Sequence, residues 1–153
     1  MTKLIVGLTG KARSGKDTVA NILTGLGYEH HSFAAPLKVG IRSLFNLTEE
    51  HTDGELKDLP LPCLGVSPRF LMQTLGTEWG RDTVDEDVWL NVMESKIKEK
   101  NGKFVISDVR FQNEADWVRQ NGILVHVVRK DNPAVTKHSS EGGIALEWGR
   151  SEE

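Results

Sequence analysis

Short apolar runs alternate along the chain with longer stretches whose apolar residues recur at helical spacing. The runs predict four strands, at residues 4–8, 28–33, 103–107 and 123–128. The longer stretches predict helices over about 18–23, 36–45, 68–80, 85–100 and 113–120. Near-continuous apolar strands that alternate with helices are typical of a parallel sheet covered on both faces. The pattern therefore predicts an α/β fold of three layers.

Two polar stretches interrupt this alternation, at residues 46–66 and 129–153. The first is acidic and then rich in proline and glycine. A loop of that length in a compact domain is usually functional, so we interpret 46–66 as a mobile cover. At 153 residues the chain is expected to form one domain, 1–153.

The most informative motif is the glycine-rich segment Gly10-Lys-Ala-Arg-Ser-Gly-Lys-Asp-Thr18, which follows the first strand and opens the first helix. In such a segment, loop N–H groups and the helix N-terminus converge on phosphate oxygens. The lysine reaches the terminal phosphates of a nucleotide. The spacing is that of a P-loop and predicts phosphate binding by Gly10, Arg13, Ser14, Gly15, Lys16, Asp17 and Thr18.

Asp17 stands where a P-loop usually has the Ser or Thr whose hydroxyl ligates magnesium. Thr18 does not simply replace that hydroxyl, because the next helical residue is rotated by about 100°. Phosphates repel a neighbouring carboxylate unless a cation lies between them. We therefore expect Asp17 to meet Mg²⁺ directly or through water.

Charged residues also follow the later predicted strands: Asp108 and Arg110 at the end of the third, and Arg129 after the fourth. Ligands of parallel sheets bind beyond the carboxyl ends of the strands, so these residues are expected near the P-loop. Asp108 is suited to hold Mg²⁺ through its hydration shell, or to accept a proton from an attacking group. The alternative is that Asp108 caps the next helix.

Two pairs with i,i+4 spacing lie in the middle of the chain. Lys38 and Arg42 share one face of a helix, and Arg69 and Gln73 form the second pair. Cations in this arrangement would bind a second phosphate group, and Gln73 carries both a donor and an acceptor for a base edge. Each cation alone is equally well explained as a solvated charge. The tryptophans Trp79 and Trp89 are expected to lie in the core.

Composition argues against several classes of partner. The chain has 19 Lys and Arg against 22 Asp and Glu, a net charge of −3, so it has no positive excess to neutralise a nucleic-acid polymer. No apolar run has the length of a membrane span, and the first strand leaves no room for a signal peptide. The single cysteine, Cys63, rules out an internal disulfide and suits a reducing cytoplasm.

Five segments occur in a recognisable order: Gly10–Thr18, Phe33-Ala-Ala-Pro-Leu-Lys38, Arg69-Phe-Leu-Met-Gln-Thr-Leu-Gly-Thr-Glu-Trp-Gly-Arg-Asp82, Ile106-Ser-Asp-Val-Arg-Phe111 and His138-Ser-Ser-Glu141. Together they resemble the bacteriophage deoxynucleoside monophosphate kinases, from Thr2 to about Gly143. The segment that begins at Arg69 is the most specific. The P-loop alone does not separate this family from dephospho-coenzyme A kinase or phosphomevalonate kinase, and the latter also has Asp after the P-loop lysine.

The resemblance implies a P-loop kinase fold and transfer of the ATP γ-phosphoryl group to a deoxynucleoside 5′-monophosphate, for phage DNA precursor synthesis. It implies an acceptor-binding insertion at about 34–85 and a lid at about 130–141, to which Arg129, Lys137 and His138 would belong. The implied roles are ATP binding by Gly10–Thr18, Mg²⁺ binding by Asp17 and Asp108, acceptor binding by Lys38, Arg42, Arg69 and Gln73, and catalysis by Lys16, Asp108, Arg110 and Arg129.

The sequence departs from that family at its C-terminus. Family members usually continue into a further strand and helix, whereas this chain ends at Glu153. Four strands are therefore expected from this chain, with a sheet edge that is left short or covered by another subunit of a homodimer. A phage-encoded enzyme of this kind would act in the host cytoplasm.

Two alternatives stay open at this point. One is another small-molecule P-loop kinase, such as one that acts on dephospho-coenzyme A. The other is a nucleotide-binding module that has lost catalysis, for which the short C-terminus is the reason.

Overall fold

The computed structural model describes residues 3–130. In that range the chain divides into two compact units: a first unit of residues 3–32 and 93–130, and a second unit of residues 33–92. None of the helices in residues 3–130 combines the length and the apolar character needed to cross a bilayer. The elements in chain order are β1 (Lys3–Thr9), α1 (Lys16–Gly25), β2 (Glu29–His31), α2 (Ala35–Phe45), α3 (Glu49–Asp53), a 3₁₀ helix (Glu55–Asp58), α4 (Pro68–Gln73), a π-helix (Thr74–Val84), α5 (Val88–Ile97), β3 (Gly102–Val109), α6 (Gln112–Asn121) and β4 (Gly122–His126).

The first unit is built on a parallel sheet of strand order β2-β3-β1-β4. The register pairs Val6 of β1 with Val105 of β3 and with Ile123 of β4. At the carboxyl end of β1, Thr9 is paired with Val109, so the P-loop and the residues after β3 begin at the same level of the sheet. The predicted parallel sheet is confirmed.

Helices cover both faces of this sheet. Successive side chains of a strand point to opposite faces. Val6 and Leu8 of β1 pack with Ala20 of α1 on one face. On the other face Gly7 lies against α6, where an added Cβ would be 2.7 Å from Val118 Cγ1. The predicted three-layer arrangement is therefore confirmed.

The fourth strand differs from its prediction. Among residues 3–130, β4 ends at His126 and is the last strand in the order rather than a middle one. Ile123 and Val125, which share a face, are 56% and 36% exposed. The prediction of a buried strand at 123–128 is therefore wrong, because an apolar run does not by itself distinguish a central strand from an edge strand.

The second unit contains helices where the sequence suggested a loop. Within residues 46–66, α3 and the 3₁₀ helix fill the acidic part. At the start of α3, the Thr48 backbone N–H donates to His51 Nδ1 at 3.1 Å, and the Thr52 side chain is fully buried. The loop interpretation of 46–66 is wrong for this part, since local capping and one buried threonine stabilise a short helix in a polar stretch.

Helix α4 begins at Pro68 as predicted, and after Gln73 the chain continues as a π-helix. Ser67 Oγ caps α4 by accepting from the Phe70 backbone N–H at 3.1 Å. The chain does not leave the helix near Gly80 but continues as the π-helix to Val84. Trp89 contacts this segment, since its indole Nε1 donates to the Gly76 carbonyl oxygen at 2.8 Å. Trp79, expected in the core, is 51% exposed.

We predict that Gly80→Ala destabilises the protein, because the new Cβ would lie 2.7–2.9 Å from three atoms of the Trp89 indole. Overpacking of this kind costs about 1–3 kcal/mol. Gly40→Ala in α2 is the matched control, since no atom would lie within 4 Å of its Cβ. That change should stabilise the helix by roughly 0.5–1 kcal/mol. Thermal unfolding of both variants measures this, and equal midpoints would contradict the close approach of Trp89.

Candidate active site

The P-loop has a backbone conformation that depends on its glycines. Gly10, Arg13 and Gly15 have φ of 152°, 62° and 103°, in the region that favours glycine. A Cβ at Gly10 would lie 2.4 Å from the Val127 carbonyl oxygen and 2.8 Å from Ser14 Oγ. Glycine is therefore required at position 10 by close packing against the segment after β4.

Lys16 is the first residue of α1, and its side chain folds back onto the loop. Its Nζ donates to the carbonyl oxygens of Gly10 at 2.7 Å and Lys11 at 3.2 Å. Lys16 is buried, with a relative exposure of 9%. Burial, and then the positive charge of Arg110, lower the pKa of Lys16 to about 8, while the carboxylates of Asp17 and Asp108 oppose that shift.

These interactions show that the structure brings together four of the predicted residues. Asp17 belongs to the P-loop, whereas Asp108 and Arg110 come from the end of β3, about 90 residues later along the chain. All three charges act on the Lys16 ammonium. The residues at the ends of β1 and β3 therefore lie together in the first unit. Their catalytic and metal-binding roles stay predictions.

Two buried hydroxyls lie in this region without hydrogen-bond partners in the described part of the chain, Thr9 Oγ1 and Ser14 Oγ. A buried polar group left unpaired costs roughly 1–3 kcal/mol. Ser14 Oγ belongs to the P-loop and lies beside the Gly10 backbone. An oxyanion in the loop would give it an acceptor, so the orphaned hydroxyl fits a phosphate ligand.

Glu114 fixes the turn that carries Asp108 and Arg110. Its carboxylate is buried, and Oε1 accepts from the backbone N–H groups of Arg110 at 2.9 Å and Phe111 at 3.1 Å. The residue before α6 is Phe111, so the alternative that Asp108 caps this helix is wrong. The role of Glu114 was not predicted from the sequence, although a Glu three residues into a helix is the acidic half of a capping box.

The acidic residues near Lys16 suit a magnesium ion bound together with phosphates. Among residues 3–130, no group of three or more His, Cys, Asp or Glu side chains is arranged to hold a metal alone. Mg²⁺ usually takes one or two carboxylates and completes its shell with phosphate oxygens and water. Asp17 and Asp108 supply two carboxylates, so the donor set fits that mode of binding.

The other residues predicted to bind or cover ATP lie at the surface. Arg13 and Thr18 are exposed on the P-loop and on α1. Arg129 is exposed three residues after β4, and its part in catalysis stays a prediction. Lys137, His138 and nearly all of the predicted lid lie outside the described residues.

The second unit brings three of the four predicted acceptor-binding residues into ion pairs. On α2, Lys38 Nζ lies 2.5 Å from Asp53 Oδ1, and Arg42 Nη1 lies 3.7 Å from Asp53 Oδ2. Arg42 also donates to the buried Thr52 hydroxyl at 2.8 Å. Burial works to raise the pKa of Asp53, but Lys38, Thr52 and Arg42 outweigh it, and the pKa lies below its ordinary value.

The third cation, Arg69 of α4, pairs with the 3₁₀ helix. Its Nε donates to Asp58 Oδ1 at 2.5 Å and its Nη2 to Asp58 Oδ2 at 3.4 Å, which is a two-pronged arrangement. Gln73 is half-buried at the last position of the same helix. The segment 49–58 thus supplies the carboxylates for all three cations, a role that the loop interpretation had not predicted.

Comparisons with known proteins bear on the family to which this chain belongs. Residues 65–151 match the family model described as deoxynucleotide monophosphate kinase. A protein of Acanthamoeba polyphaga mimivirus, provisionally named deoxynucleotide monophosphate kinase, is 33% identical over 90% of this chain and 80% of its own length. The deoxynucleoside-5′-monophosphate kinase of Escherichia phage T5 is 36% identical over 67% of this chain. The chain spans only 44% of the T5 protein's length.

A solved structure supports the fold. TT1252 from Thermus thermophilus superposes with a TM-score of 0.50 at 19% identity, over 84% of this chain and 66% of that chain.

The deoxynucleotide monophosphate kinase of Escherichia phage RB69 is a further relative, 31% identical over 54% of this chain and 36% of its own length. The family predicted from the five sequence segments is confirmed.

We predict that Lys16 of the ligand-free protein titrates near pH 8, as a carbon-13 NMR titration of labelled lysine side chains would measure. Because burial and Arg110 disfavour the ammonium, the charged form dominates below pH 8 and is lost above it. Binding of a polyphosphate above pH 8 should then take up a proton. Lys16→Arg, which removes the Lys16 resonance, identifies it in the spectrum. Titration of Lys16 at the ordinary lysine pKa of about 10.4 would contradict the burial of its charge.

Proposed function

The chain belongs to the deoxynucleotide monophosphate kinase family, and we propose that it transfers the γ-phosphoryl group of ATP to a deoxynucleoside 5′-monophosphate. The products are ADP and the deoxynucleoside diphosphate. The observation that carries this proposal is the cluster at Lys16 Nζ, on which two carboxylates and one guanidinium act. Phosphoryl transfer relies mainly on positioning and on cationic stabilisation, and this cluster has the groups for both.

The transfer requires little covalent chemistry from the side chains of the protein. An oxygen of the acceptor phosphate attacks the γ-phosphorus, and the bond from that phosphorus to the β–γ bridging oxygen breaks, so that ADP leaves. The second pKa of a phosphate monoester is about 6, so the attacking oxygen is already deprotonated at neutral pH. A general base is therefore unnecessary, and of the two roles considered for Asp108 we favour magnesium binding.

In this proposal the P-loop, Gly10 to Thr18, holds the ATP phosphates. Lys16 exchanges its two carbonyl partners for phosphate oxygens, which are stronger acceptors because they are charged. Asp17 and Asp108 would hold Mg²⁺ against the same phosphates. The ion, when bound, neutralises phosphate charge and orients the transferring group.

Arginines complete the proposed nucleotide site. Arg110 already acts electrostatically on Lys16, so it is suited to stabilise charge on the moving phosphoryl group. Arg129 and the segment at about 130–141 would form the lid that excludes water during transfer.

The acceptor is assigned to the second unit, which contains the insertion expected at about 34–85. Lys38, Arg42 and Arg69 would bind its phosphate, and Gln73 would read the edge of its base. The ion pairs with Asp53 and Asp58 support this assignment, because they hold the three cationic groups in fixed orientations before any ligand binds.

Two further proposals concern the setting in which the enzyme acts. The exposed apolar face of β4, the last strand of the sheet within residues 3–130, favours a homodimer in which a second copy covers this strand. The net charge of −3 and the single cysteine favour a cytoplasmic enzyme that does not act on a nucleic-acid polymer.

The acceptor range is tested by a coupled ADP-release assay with Mg²⁺ and ATP against deoxynucleoside and ribonucleoside monophosphates and dephospho-coenzyme A. We predict ADP release that depends on deoxynucleotides. Lys16→Ala should reduce kcat by at least about 100-fold, because it removes a cation that acts on the transferring group. Release only with dephospho-coenzyme A, or near-normal turnover by Lys16→Ala, would overturn the proposal.

Arg69→Ala is predicted to raise the KM for the acceptor by about 10- to 100-fold, the range expected when a charge-assisted hydrogen bond is lost. The KM for ATP should change little. Arg119→Ala is the matched control, since it removes an arginine paired with Asp116 on α6. A selective rise in the KM for ATP would mean that Arg69 binds the other nucleotide.

A further inference from the structure

We propose that His30 is a positioning residue, which acts through Ser107 to orient Asp108 toward the P-loop. This inference rests on the proposed function, in which Asp108 holds Mg²⁺ against the ATP phosphates, and it adds a histidine from a neighbouring strand. The observation that carries it is a hydrogen bond of 2.7 Å that joins His30 Nε2 of β2 and Ser107 Oγ of β3. Ser107 is buried, with a relative exposure of 6%, and directly precedes Asp108.

Strand β3 is irregular at the point where this hydrogen bond is made. Gly7 of β1 is paired with Ile106 of β3. The next pair joins Thr9, two residues later in β1, to Val109, three residues later in β3. Between these pairs β3 therefore contains one residue more than β1, which makes a β-bulge at residues 107–108. Bulges are frequent beside active sites, where they change the direction of a side chain.

Packing on the two faces of the sheet shows what the bulge does. Val105 belongs to the buried cluster on the face covered by α1, so Ser107, two residues later, lies on that face. Val109 lies on the face covered by α6, because an added Cβ at Gly7 would be 3.0 Å from Val109 Cγ2. Strict alternation would place Asp108 on the α6 face. The bulge interrupts the alternation and lets Asp108 lie toward α1, in agreement with the effect of its charge on the lysine that begins α1.

His30 contacts the bulge from the adjacent strand. It is paired with Val105, so its side chain lies on the α1 face, as the bond to Ser107 requires. The last paired residues of β2 and β3 are His31 and Ile106, one residue before the bulge. The side chain of His30 thus extends the contact between the strands beyond their backbone pairing. We expect loss of this bond to free the bulge, so that the carboxylate after Ser107 is held less firmly toward α1.

The test measures ATP binding by calorimetry, in Mg²⁺ and in EDTA. Residues that orient a metal ligand typically change metal affinity by 10- to 100-fold, and we predict that His30→Ala weakens ATP binding in Mg²⁺ by about 10-fold. Binding in EDTA should stay within about twofold of wild type, because the phosphate contacts of the P-loop are unchanged. The amide of His30→Gln can still hydrogen-bond to Ser107, so this variant should bind within about threefold of wild type in Mg²⁺.

Two further variants locate the effect. Ser107→Ala removes the other partner of the hydrogen bond and should reproduce the result of His30→Ala. Lys100→Ala is the matched control, since it breaks an exposed ion pair of 3.0 Å with Glu29 on the same strand as His30. Its ATP binding should equal that of wild type in both conditions.

A double-mutant cycle separates positioning of Asp108 from a general loss of structure. If His30 acts through Asp108, then His30→Ala should not weaken ATP binding in Mg²⁺ any further once Asp108→Asn is present. Additive losses would overturn the proposal. Equal losses in Mg²⁺ and EDTA would also overturn it, because they would mean that the P-loop itself is disturbed, and so would wild-type affinity of His30→Ala in Mg²⁺.

The binding measurement keeps this inference separate from the proposed reaction. If wild type forms no ADP with any acceptor but binds ATP more tightly in Mg²⁺ than in EDTA, the proposed function fails and the cycle still decides about His30. If wild type turns over and His30→Ala binds ATP normally, only the role of His30 fails. Equal ATP affinity of wild type in Mg²⁺ and in EDTA would refute the inference, since Asp108 would then hold no metal against the phosphates.

Discussion

The buried ammonium of Lys16 is the constraint on which the first unit depends. A positive charge removed from water must be given acceptors and opposite charges, or it is strongly unfavourable. The carbonyl oxygens of Gly10 and Lys11 supply the acceptors, and the left-handed backbone at Gly10 and Gly15 turns the loop so that it closes around the lysine. The register of β1 and β3 then brings Asp108 to the same end of the sheet. The fold thus positions a buried positive charge where it can interact with phosphate groups.

In the second unit, too, the cations are paired with nearby groups of opposite charge. Lys38, Arg42 and Arg69 are not left as mobile surface charges, because Asp53 and Asp58 pair with them. Exposed ion pairs contribute little to stability, typically 0–1 kcal/mol, so stability alone is a weak reason for three of them on one short segment. A better reason is that the ion pairs orient the cations for an incoming anion, because preorganisation reduces the cost of binding.

Features set by local pattern could be predicted from the sequence. The P-loop was predictable because its glycines and lysine have fixed spacing next to a strand and a helix, and the shared face of Lys38 and Arg42 follows from helical geometry. Features set by contacts between residues far apart in the sequence could not be predicted from it. The π-helix is contacted by Trp89 from a later helix, and the exposure of β4 depends on strand order. Glu114 lies between these cases, since its capping position was visible but its link to Asp108 and Arg110 was not.

Transfer of the γ-phosphoryl group to a deoxynucleotide is tested most directly by following the phosphorus itself. Incubation with Mg²⁺, ATP labelled at the γ-phosphate and a single deoxynucleoside monophosphate, followed by chromatographic separation, shows where the label goes. We predict that the label appears in the deoxynucleoside diphosphate, in amounts equal to the ADP formed. Label found only as inorganic phosphate, or retained in ATP with every deoxynucleotide, would contradict it.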